Sequence, residues 1–131
     1  PEITALTGIT NEQVQSGEPI SKVYQDLMSL HKTYRCFINP VVWGSGVRND
    51  SDTLWTQSGS SEPNFMGFRV IDAKTLSQSI KMVSNKKIKG GLSSSMQDFG
   101  LTFEGREHDA LDDAYNTAVF WLYLSKKLSA V

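Results

Sequence analysis

Cysteine is nearly absent from this chain. The single Cys36 among 131 residues excludes an intrachain disulfide framework and suits a reducing compartment. Nothing cationic adjoins it in sequence except Arg35, so a small buried hydrophobe is expected here, not an activated nucleophile. A dominant charge is absent too. The 13 Lys and Arg against 14 Asp and Glu leave −1, so no long-range positive field draws in a polyanion. That argues against a nucleic-acid-coating protein and makes any such contact local. No apolar run approaches the ~20 residues of a membrane span, and the N-terminus lacks the basic-then-apolar pattern of a secretion signal. No membrane association and a cytoplasmic location are therefore expected. Methionine is missing from position 1, where Pro1 stands, which suggests a start other than the natural one. What is present is a globular composition, 39% hydrophobic and 10% aromatic, in a length that forms one domain with a real core.

Hydrophobic spacing organises the chain. Ile20, Val23, Tyr24, Leu27, Leu30 and Tyr34 recur at steps of three and four and predict a helix over about residues 20–35. Ahead of it, Thr10 and Gln13 have the spacing of a capping box. The run from Phe37 to Gly44 reads as a buried strand, and Phe68 to Asp72 as a second. Gly44-Ser45-Gly46 is expected to be a loop, Asp50 to about Gln57 a short helix closed by Gly59, and 58–66 a surface loop with Pro63. A helix is expected from about Lys74 to Val83, with Leu76, Ile80 and Val83 inward. Asn85 to Gly91 forms a basic loop, and Ser93 caps a short helix that Gly100 stops. The longest helix runs from about Asp109 to Leu128, with Leu111, Ala114, Ala118, Trp121, Leu122 and Leu128 on its apolar face. Two strands among about five helices make a poor sheet core, so further strands are expected from outside the sequence.

The chemistry concentrates in His108-Asp109-Ala110-Leu111-Asp112-Asp113-Ala114. Phosphodiester hydrolysis needs a proton acceptor beside a metal ligand, and a histidine five residues ahead of a carboxylate supplies both. Five helical residues turn through roughly 500 degrees. His108 and Asp113 therefore converge only if His108 lies on the loop and Asp113 on the helix's second turn. Acids also gather at helix starts to cap free N–H groups, and that reading fits Asp109. Asp112 is the alternative ligand to Asp113. A second group follows the first strand, where Asp50 opens a helix after the glycine pair and Asp52 stands two residues on. The carboxyl end of a strand is where open α/β sheets place their ligands.

The His108 heptad resembles the third motif of the DEDDh exonucleases, the family of polymerase proofreading subunits and ribonuclease T. Asp50, four residues before Leu54, resembles the second motif, with Asn49 where the family usually has Phe. Glu2 to Thr10 is similar to the family segment that lies against the terminal nucleotide. This resemblance implies an α/β, ribonuclease H-like fold and 3′–5′ hydrolysis by a two-metal site using Mg2+ or Mn2+. It implies His108, Asp113 and Asp50 as catalytic residues, with Asp113 and Asp50 as metal ligands. Leu6, Thr7, Gly8 and Ile9 would be the substrate-binding segment, with Leu6 or Ile9 against a base and Thr7 at the 3′ end. A loop that packs Ile9 into the core is the alternative. The partners implied are single-stranded 3′ ends of DNA or RNA. Lysines such as Lys81, Lys86, Lys87 and Lys89 are candidates to guide a strand, and Trp55 and Phe65 to stack on bases.

The family's first motif, an Asp-x-Glu pair on a central strand, belongs ahead of Leu6, and only five residues stand there. Residues 1–131 are thus expected to be the C-terminal part of a single exonuclease domain whose N-terminal strands are absent. A partner or a second copy would supply them. The alternatives are a catalytically inactive exonuclease-fold domain for binding or assembly, and a hydrolase of small nucleotides.

Overall fold

The computed structural model describes residues 2–44, 48–88 and 90–130, with the backbone alone at 48 and 49. The elements run α1 (Glu2–Thr7), α2 (Asn11–Gln15), α3 (Ile20–Thr33), β1 (Val41–Val42), α4 (Arg48–Ser58), β2 (Ile71–Asp72), α5 (Ala73–Val83), α6 (Leu92–Asp98) and α7 (Ala110–Ser129). They pack as two compact units, Pro1–Pro40 with Gly46–Val70 and Val41–Ser45 with Ile71–Val131. Among the described residues no helix is long and apolar enough to cross a membrane.

In the first unit the capping box forms as its spacing predicts. The Thr10 hydroxyl accepts from Gln13 N at 3.2 Å, and Gln13 Oε1 accepts from Thr10 N at 2.8 Å, which starts α2. On α3, Tyr24 is buried against Phe65, with ring centroids 5.1 Å apart, and His31 meets the same ring at 5.3 Å. The loop after α4 is tied back to it. Trp55 Nε1 donates to Glu62 O at 2.8 Å, and Asn64 Nδ2 donates to Ser51 Oγ at 2.9 Å. Gly59 ends α4 at φ +70, the left-handed conformation that suits glycine at a helix stop.

The second unit is built on a parallel strand pair, with Val41 opposite Ile71 and Val42 opposite Asp72. Asp72 closes the strand and caps α5. Its carboxylate accepts from Gly44 N, Lys74 N and Thr75 Oγ1 at 2.9, 2.9 and 2.8 Å. Burial pushes this carboxyl up, but the Thr75 hydroxyl and the backbone N–H groups of Gly44, Lys74 and Thr75 outweigh it. They hold the group below the ordinary carboxylate value. Leu92 and Met96 of α6 and Phe120 and Leu124 of α7 form the core, and Trp43, Leu76, Ile80, Phe99 and Tyr123 close around it. Phe120 sits at its centre, 5.4 Å from the Phe99 ring and 5.9 Å from that of Trp43.

Several sequence expectations are corrected. The strands expected over 37–44 and 68–72 shrink to two residues each. Pro40 lacks an N–H for a ladder, a turn closes at Gly67 through Gly67 N and Asn64 O, and neither strand has more than two residues of neighbour along it. The result is mostly helical. Of the stripe on α3 only Tyr24 is buried, while Leu30 and Tyr34 are exposed. Val83 is 86% exposed, because the buried face of α5 is that of Ala73, Ser77 and Lys81, and Val83 lies roughly 200 degrees around the helix from Lys81. Ser93 lies inside α6, whose N-cap is Gly91. On α7 the buried stripe is Asn116, Thr117, Phe120 and Leu124, so Leu111, Leu122 and Leu128 face outward. Cys36 is exposed. Lys81 is buried, in an ion pair with Asp98 and a hydrogen bond to Ser95, which removes it from any strand-guiding role. The residues expected to form the Ser45–Gly46 loop, and Lys89 of the basic loop, lie outside the described residues.

Candidate active site

The start of α7 shows what each acid of the heptad does. Asp109 is the N-cap, and its Oδ1 accepts from Leu111 N at 3.0 Å and Asp112 N at 3.2 Å. Asp112 turns back to the preceding loop, where its Oδ2 accepts from Arg106 N at 2.8 Å. Asp113 ends the first turn of α7, not the second, and its N–H donates to Asp109 O at 2.8 Å. Its half-buried carboxylate has no hydrogen-bond partner among the described residues. Two of the three acids are thus engaged in holding the helix start, and the third is left with its oxygens open.

His108 lies outside the helix, two residues ahead of Ala110. It takes φ +68, a left-handed conformation in which histidine is one of the more tolerant side chains. The imidazole is exposed and, among the described residues, unpartnered. Gly105 makes the first bend of this loop at φ +86, and a Cβ there would run into the Asp112 carboxylate.

Asn116 was not legible as a functional residue. Its Nδ2 donates to Glu104 O and to Asp112 O, both at 2.7 Å, while its Oδ1 accepts from Glu104 N at 2.9 Å. A polar side chain in step with Phe120 and Leu124 on one helix face is the signal that marks it.

The other predicted site residues belong to the first unit. Asp50 is the third residue of α4, because the helix begins at Arg48, so Asp50 does not open it as expected. Its carboxylate is exposed and has no partner among the described residues. Asp52 is half-buried two residues further on. Leu6 and Thr7 end α1, and Gly8 reverses the chain at φ +78, donating its N–H to Thr4 O at 2.8 Å. The Thr7 hydroxyl donates to Ile3 O at 2.8 Å and accepts from Ile9 N at 3.2 Å. Leu6 and Ile9 are exposed, so Ile9 is not the core residue of the alternative reading. Of the stacking candidates, Phe65 packs its ring against Tyr24 and His31, while Trp55 is engaged only through its Nε1 in the contacts described above, and Lys86 Nζ lies 5.9 Å over the Phe99 ring.

Carboxylate oxygens are the donors that Mg2+ and Mn2+ take, so the open carboxylates of Asp113 and Asp50 are of the right kind. Among the described residues, no three His, Cys, Asp or Glu side chains gather into a metal-binding group. A two-metal site therefore needs donors beyond these.

No curated protein and no solved structure matches the chain. The ribonuclease T family model, described as exonuclease, matches residues 1–120, a span that includes Leu6–Ile9, Asp50 and the His108 heptad. The chain belongs to this exonuclease family.

Proposed function

We propose that the protein hydrolyses phosphodiesters at single-stranded 3′ ends of DNA or RNA, releasing nucleotides in the 3′–5′ direction, and that it works in the cytoplasm. The observation that carries this reading is the pairing of open groups at the start of α7. His108 and Asp113 have no competing partner among the described residues, whereas Asp109 and Asp112 are engaged in structure. In this reading the exposed imidazole of His108 accepts the proton of the attacking water through a ring nitrogen. Asp113 and Asp50 are the carboxylates that would hold Mg2+ or Mn2+. The cations, when bound, would lower the pKa of that water and offset charge on the phosphate. Leu6 and Ile9 offer exposed apolar surface to a terminal base, and the Gly8 turn presents them.

The 131 residues contain no Asp-x-Glu, so the remaining donors would come from residues outside this sequence, a partner or another copy. The same observation favours a second reading, an exonuclease-fold domain that binds or assembles without catalysis. One assay separates them. Oligonucleotides labelled at either end are incubated with the full natural protein and with this chain, in Mn2+ and in EDTA. The proposal expects metal-dependent release of mononucleotides from the 3′ end, lost in His108→Ala and Asp113→Ala. Full activity in both variants would remove these roles. A stable oligomer that neither binds Mn2+ nor cleaves would establish the non-catalytic reading.

A further inference from the structure

The loop that carries His108 is held from behind by α7, and the residue that holds it is Asn116. Its side chain is 1% exposed, deep among core residues where an amide is expensive unless every group is matched. Here every N–H is matched. The amide serves both the carbonyl and the N–H of Glu104, as a neighbouring strand would, and its second N–H reaches Asp112 O. Only one orientation of the amide satisfies this donor and acceptor pattern. Nearer the helix start, Asp112 fixes Arg106 N. Between these two anchors the chain must bend at Gly105, and His108 follows before Asp109 locks the helix. Residues 104 to 109 are thus tied to α7 at Glu104, Arg106 and Asp109, which leaves the His108 side chain as the free end of a held loop.

We propose that Asn116 is a positioning residue. By clamping Glu104 it sets the path of the loop and so the place of the His108 imidazole relative to Asp113. This rests on the assignment of His108 as proton acceptor. A leucine at position 116 would fill similar volume and cost no buried polar group, so packing alone does not call for an amide there.

The test compares Asn116→Leu with Leu124→Ala, which opens a cavity in the same core without touching the loop, as a control for lost stability. Amide hydrogen exchange and the His108 ring signals are read by NMR in this chain, and kcat and KM in the full natural protein. In Asn116→Leu the Glu104 and Arg106 amides are expected to exchange about tenfold faster or more. The His108 signals should broaden or shift. The kcat should fall by roughly 10- to 100-fold with KM within about twofold, since a displaced catalytic group costs rate more than binding. Leu124→Ala should show none of these changes beyond its lower Tm. The proposal is overturned if Glu104 stays protected in Asn116→Leu, if the loop loosens while kcat holds, or if Leu124→Ala produces the same pattern. Should the unaltered protein release no nucleotide, the hydrolytic reading fails. The exchange and ring signals then decide the clamp alone, an unchanged pattern overturning it and the expected pattern supporting it.

Discussion

Replacing Asp109 by Ala separates a structural acid from a chemical one at the same helix end. The Asp109 carboxylate satisfies the N–H groups of Leu111 and Asp112, which are otherwise without helical partners. Removing such a cap costs about 1 kcal/mol. Losing a negative charge at the positive end of the α7 dipole adds about 0.3–1 kcal/mol. The expected sum is about 1.3–2 kcal/mol. For a chain of this length that corresponds to a fall in Tm of roughly 5–8 °C. Asp109→Asn keeps the cap and loses only the charge, so it should fall by no more than about half of this. Thermal unfolding followed by circular dichroism measures the series, and calorimetry with Mn2+ measures metal affinity in the same variants. The account requires Tm to drop in Asp109→Ala with metal affinity unchanged. Lost Mn2+ binding with an unchanged Tm would refute the division of labour among the three acids.

Acid should weaken the second unit through Asp72. Its folded-state pKa lies below the unfolded value of about 3.9, so its contribution is complete above that value and is lost as pH falls through the depressed folded one. Asp72→Asn should therefore be less stable at neutral pH and lose less further stability below about pH 4, as urea titrations across pH would record. Phe120→Ala, which empties the centre of the core, should cost about 3–5 kcal/mol in urea unfolding, and a cost under about 1 kcal/mol would place the core elsewhere. Gly105→Ala forces a Cβ onto the Asp112 carboxylate at φ +86, and should cost about 1–2 kcal/mol and lower turnover. Equal activity and equal Tm would show that the bend carries no constraint.

Local chemistry was legible in the sequence wherever one turn of chain decided it. The Thr10–Gln13 box, the Asp109 cap, the left-handed stops at Gly59 and Gly100, and the place of His108 ahead of the helix all follow from short-range hydrogen bonding and φ preference. Burial was not legible, because it depends on which elements meet. Leu111 and Leu122 look like core residues by type, yet the face that meets α5 and α6 is the one bearing Asn116, Thr117, Phe120 and Leu124. Two polar residues on that face hid its period. Lys81 reads as a surface lysine until Asp98 of α6 is found beside it. The strands failed for a related reason: a β-branched run specifies extended structure only as far as a neighbour accepts its hydrogen bonds, and β1 and β2 offer each other two residues. At the candidate site, the sequence singled out the acids, but the choice among them came from hydrogen bonds made six and three residues away.

The most direct measurement is Mn2+-dependent release of mononucleotides from a 3′ end by Asp113→Asn beside Asp112→Asn, with Tm recorded for both in the same preparation. The account predicts that Asp113→Asn loses metal-dependent release while its Tm falls by no more than loss of one charge in the first turn of α7 requires, about 0.3–1 kcal/mol, and that Asp112→Asn still releases nucleotides. The opposite pattern, activity surviving in Asp113→Asn and abolished in Asp112→Asn, would contradict it.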